Sequence, residues 1–174
     1  MMKFNLFFFL GIIAFAGCSE RNSTSHQKAI EDKPRLTGMW ELVSMDAFDS
    51  SDGTWKTWNQ GMQGYVLYEA SGFMALHLSR KGYQNFQPSF PNFQDSIPLE
   101  ALKHLTNSYH YFAEYEIDSL AQQVHHKSLA HSNPSEWNKK VTRKMEFKGD
   151  TLILKPVESK NAHLRVRWVK KTKP

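Results

Sequence analysis

The 174-residue chain has one cysteine, Cys18, which rules out a disulfide framework and a thiolate zinc site. No apolar run approaches the ~20 residues a membrane-spanning helix needs, and the stretch from Leu6 to Gly17 stops well short. There is no G-x-S-x-G nucleophile motif and no glycine-rich phosphate loop. A basic stripe is missing too. The 22 Lys and Arg against 17 Asp and Glu give a net charge of +5, but the cations are scattered apart from "VKKTK" near the C-terminus. A nucleic-acid surface is therefore not expected. Eight histidines are present, yet His125 and His126 are neighbours on one strand and point to opposite faces. His77, His104, His110 and His131 show no zinc spacing. No metal and no cofactor is expected.

What is present begins with a short leader. Lys3 precedes the apolar run, and small residues lead up to Cys18, the arrangement of a cleaved export signal. Phe15-Ala16-Gly17-Cys18 resembles a bacterial lipoprotein lipobox. The resemblance implies that residues 1–17 are removed and that Cys18 carries the lipid. Lipidation also accounts for an odd cysteine in an exported chain. Residues 18–35 are polar and read as a flexible tether. Ser19 follows the cysteine where an aspartate would resemble an inner-membrane retention signal, so the expected location is the cell envelope at the outer membrane. Residues 36–174 read as one domain, large enough for its own core.

That domain reads as strands and turns. Strands are expected from Gly38 to Phe48, Tyr65 to Glu69, Phe73 to Ser79, Tyr109 to Ile117, Leu120 to Ser132, Lys139 to Lys148, Leu152 to Pro156 and Leu164 to Lys170. Asp52-Gly53 and "FKGDT" mark tight turns. Pro98 to Asn107 reads as the one short helix, with Leu99, Leu102 and Leu105 on one face. Between Arg80 and Ile97 the chain is irregular, and Tyr83, Phe86, Phe90 and Phe93 are candidates for a lid or for a cluster under their own loop. About eight antiparallel strands in sequence suit an all-β, up-and-down barrel, whose interior holds side chains or one small ligand.

"GMWELVS", "GYVLYEASGFMALHL", "YFAEYEID", "VHHKSLAHSNPSEW" and "RKMEFKGDTLILKP", in that order, resemble the bacterial lipocalin-like domain family of calycin-type barrels. Gly38-x-Trp40 is the short motif shared with true lipocalins. The resemblance implies that Trp40 closes one barrel end beneath a basic side chain of the last strand. Arg165 and Arg167 are the candidates, with Lys170 behind them. It implies little about a ligand or a reaction.

Alternation assigns the inner face. Val141, Arg143, Met145 and Phe147 point inward, as do Val124, His126, Ser128 and Ala130, and Tyr111, Ala113, Tyr115 and Ile117. If the two hairpins turn about Asp118-Ser119 and Pro134-Ser135, then Tyr111, His126 and Arg143 form one row across three strands. A buried guanidinium needs a partner. One reading gives Arg143 the carboxylate or phosphate of an amphiphilic ligand, with His126, Tyr111 and Tyr115 beside it and Trp58 at the mouth. The other pairs Arg143 with a carboxylate of the protein. The expected function is binding of a small hydrophobic or amphiphilic molecule by a membrane-anchored barrel, with the oligomeric state open. The alternatives are an enzyme using His126 as general acid or base and a filled barrel that acts through its surface.

Overall fold

The computed structural model describes residues 33–58, 61–85 and 99–172. The leader, Cys18, most of the tether, and Phe86, Phe90 and Phe93 lie outside the described residues. Among the described residues, a helical turn over 33–36 leads into nine strands and one further α-helix. The strands are β1 (Gly38–Asp49), β2 (Thr54–Thr57), β3 (Met62–Tyr68), β4 (Phe73–Arg80), β5 (Tyr109–Asp118), β6 (Gln123–His131), β7 (Lys140–Lys148), β8 (Thr151–Pro156) and β9 (Leu164–Lys170). The helix α1 (Leu99–Thr106) lies between β4 and β5.

Each strand from β3 to β9 pairs antiparallel with its sequence neighbour, and β9 returns to β1. The sheet therefore closes as an eight-stranded up-and-down barrel with no free edge along its wall. The ninth strand, β2, pairs only with the far end of β1. Its four residues, "TWKT", are too few to show alternation, so the sequence pattern does not announce this strand.

Alternation builds the core. Along β3, Met62, Gly64, Val66 and Tyr68 are buried, while Tyr65 and Leu67 between the last three are exposed. Trp40, Val66, Val124, Leu152 and Trp168 meet inside, and Leu36 joins them from the helical turn. Burying each such side chain contributes about 1.5–3 kcal/mol. Leu36, at the expected start of the domain, is thus part of the core.

Trp40 closes one end, as its motif implies, but under a different partner. On β9, Leu164, Val166 and Trp168 point inward, so Arg165 and Arg167 point outward. Arg165 lies over the Trp55 ring at 4.1 Å and donates from Nε to Asp46 at 2.9 Å. Arg167 Nε donates to Ser44 at 2.8 Å. Lys170 is in phase with Trp168 and stands opposite Trp40, with its ammonium 5.2 Å from the ring centroid. Gly38, at φ 121°, lets the lysine stem pass: a Cβ there would lie 3.2 Å from Lys170 Cε. The glycine and the tryptophan of the motif therefore serve one contact. The Trp40 indole N–H donates to Leu36 O at 2.7 Å, and Phe147 packs beside it at 6.2 Å.

Candidate ligand-binding site

Away from the Trp40 end, the barrel encloses a cavity of about 340 Å³. Its wall is mainly apolar, with Met45, Met62, Val66, Leu78, Val166 and Trp168 contributing. It extends to the end occupied by Trp58, residues 106–108 and Asn161. Its polar wall holds Tyr68, Tyr111, His126 and Arg143. Four of the expected site residues, Trp58, Tyr111, His126 and Arg143, thus line one cavity. Tyr115 does not. Its hydroxyl donates to Glu69 O at 2.9 Å, and its ring meets Tyr68 edge-on at 5.1 Å, so it braces the site from outside.

The expected row across β5, β6 and β7 does not form by direct opposition. The β5–β6 turn spans four residues, 119–122, with Gln122 at φ 52°. His126 therefore faces Tyr115 rather than Tyr111, and a bulge beyond Ala113 shifts the register again. On the other side His126 faces Val141, and Arg143 faces Val124. Up to the bulge the slips are even-numbered, so every side chain keeps its face. Tyr111 still reaches His126 along the strand, and its hydroxyl lies 2.9 Å from Nδ1.

Tyr68, from β3 across the barrel, completes the group, with its hydroxyl 3.0 Å from His126 Nε2. The sequence reading assigned this residue no role. Its signal was the alternation of "MQGYVLY", which points Tyr68 inward with Val66. His126 is 2 % exposed and bonded at both ring nitrogens. Burial, with smaller repulsion from Arg143 and His125, pushes it down to about 3, so it is neutral in ordinary conditions. Burial also raises both tyrosine hydroxyls, which stay protonated.

Arg143 donates from Nη1 to Glu158 at 2.8 Å and to Thr142 O at 3.0 Å. Burial alone would raise the Glu158 carboxyl, but the Thr142 N–H bond at 2.8 Å and the guanidinium hold it below its usual range. The protein itself thus supplies the carboxylate for Arg143. Glu158 stands just before the 3₁₀ turn Ser159–Asn161, beyond the strand pattern that located the arginine.

The buried histidine has a consequence for acid stability. Its folded pKa lies below the unfolded value of ~6.5, so its contribution is complete above that pH and is lost as pH falls toward 3. Relative to His126→Gln, which keeps polar atoms but does not titrate, the native protein should lose about 3 kcal/mol between pH 7 and pH 4. Urea unfolding of both proteins at the two pH values measures this. Parallel pH dependences would exclude a neutral buried His126.

The lipocalin-like domain pattern matches residues 37–170. Among solved structures, a redesigned β-barrel is similar at 12% identity, covering 80% of this chain and 95% of its own, with a TM-score of 0.37. Two point variants of the fluorescent protein UnaG are similar at 12% identity, covering 80% and 81% of this chain and 98% and 99% of theirs, with TM-scores of 0.35 and 0.33. No curated protein matches the chain. The family match spans all nine strands, from the start of β1 to the end of β9, and the chain belongs to the lipocalin-like domain family.

Proposed function

We propose that this protein holds a small hydrophobic or amphiphilic molecule inside its barrel and does so at a membrane, tethered through Cys18. One observation carries the binding reading: a mainly apolar cavity of about 340 Å³ with the Tyr68, His126, Tyr111 and Arg143 group on its wall. Ligand sites usually begin near 300 Å³. At ~30 Å³ for each water-sized group, there is room for roughly a dozen heavy atoms. A filled barrel would not leave this space. Both ring nitrogens of His126 are engaged by tyrosines, which favours a fixed binding wall over proton transfer to a substrate.

The anionic head group considered for Arg143 meets a guanidinium already neutralised by Glu158. That pairing favours an uncharged polar end over a carboxylate, since a second anion would compete with Glu158 for one cation. The anchor rests on the lipobox-like Phe15-Ala16-Gly17-Cys18 and the polar stretch that follows. Together these make an exported, lipid-anchored carrier in the bacterial envelope.

Both parts are open to one preparation. Full-length protein extracted from the membrane fraction should release a small molecule on native mass spectrometry. Cys18→Ser should move the protein to the soluble fraction with the same molecule bound. A protein that carries nothing and binds no added apolar compound would exclude the carrier, and a Cys18→Ser protein that stays with the membrane would exclude the anchor.

A further inference from the structure

The three groups Tyr68, His126 and Tyr111 have a fixed number of protons. A neutral imidazole has one N–H and one bare nitrogen. At the bare nitrogen the tyrosine must donate, and at the N–H the tyrosine must accept. Two hydroxyls and one N–H supply three protons, and the two contacts at 3.0 and 2.9 Å use two of them. One tyrosyl O–H is left over. If Nδ1 carries the proton, it is that of Tyr111; if Nε2 does, it is that of Tyr68. Among the described residues neither hydroxyl has a further partner. Both tyrosines line the cavity.

We infer that the Tyr68–His126–Tyr111 group presents one hydroxyl proton to the cavity in either tautomer, and that the ligand is one whose buried polar atom accepts a hydrogen bond, such as a ketone, ester or ether oxygen. A buried donor without an acceptor is costly, so the group selects for such an oxygen and against an ammonium, which has only donors to offer. The histidine also lets the donor move. The two tautomers place the free O–H on different tyrosines, so the wall can meet an oxygen at either of two positions with all three rings in place. This rests on the carrier reading and narrows its ligand class.

Three compounds of one shape test it: butylbenzene, butyrophenone and 4-phenylbutylammonium, titrated calorimetrically into the full-length protein. Butyrophenone should bind about tenfold more tightly than butylbenzene, the worth of one matched hydrogen bond in a buried site, and the ammonium should bind most weakly. In the double variant Tyr68→Phe/Tyr111→Phe, the ketone should lose its advantage while butylbenzene keeps its affinity or gains. Equal affinities of ketone and hydrocarbon for the native protein would overturn the donor and leave the carrier standing. Binding of none of the three would overturn the carrier and the donor with it. The native-protein series decides the matter even if the double variant does not fold.

Discussion

Gly64→Ala should cost more than about 4 kcal/mol and leave little folded protein at 25 °C. Gly64 is buried in β3, in phase with Met62 and Val66, at φ 147°. A Cβ there would lie 1.9 Å from His77 O, 2.9 Å from His77 C and 3.0 Å from Leu78 Cα. All three are backbone atoms, so no side chain can swing aside. Relief requires β3 and β4 to separate, although they are paired from Met62–Arg80 to Tyr68–Met74. An inward glycine in mid-strand marks where two backbones approach closely as the wall bends. Its loss also strains the backbone, because φ in this range suits only glycine. Soluble yield and urea unfolding followed by circular dichroism measure the effect. A variant within 1 kcal/mol of the native protein would mean that the wall is looser here than its geometry implies.

Trp40→Ala should cost about 3–5 kcal/mol, the range for a large buried aromatic. The side chain is 2 % exposed and carries three separate supports: the Leu36 carbonyl on its N–H, Phe147 beside the ring and the Lys170 ammonium over it. Removing the indole leaves a void that only backbone movement can fill. It also frees the Leu36 carbonyl and the Lys170 cation from their partner. The lysine contact accounts for a minor share, about 0.5–1 kcal/mol at an accessible site. Lys170→Met should therefore cost far less than Trp40→Ala, and equal losses in chemical denaturation would reverse the roles assigned to packing and charge.

Much of the barrel was legible because strand alternation has a period of two. In β5, β6 and β7 it assigned Tyr111, Ala113, Tyr115, Val124, His126 and Met145 to the interior, and all are buried. The same period says nothing about how far one strand slides along the next. That depends on loop geometry, here a four-residue turn containing Gln122 in a left-handed conformation that its side chain does not announce. The even slips before the bulge explain why the faces were right and the row was not. The choice of cation over Trp40 failed for a related reason. Arg165 and Arg167 were the more conspicuous cations, but β9 phase sends them outward and leaves Lys170. Glu158 could not be foreseen as the Arg143 partner, since it sits in a connection whose path no strand pattern fixes. Tyr68 was legible in principle, being in phase with Val66.

The helical turn at 33–36 fixes the polarity of the molecule. It feeds the chain into the barrel beside Trp40, where Arg35 lies 4.3 Å from the Phe147 ring centroid and its carbonyl accepts from Lys170 at 3.1 Å. The cavity reaches toward the other pole, at Trp58 and Asn161. On the proposed anchoring through Cys18, the attachment would lie toward the plugged pole and the cavity would open away from it. Under the proposed function, ligand exchange and attachment would use opposite ends of the barrel and would not obstruct each other.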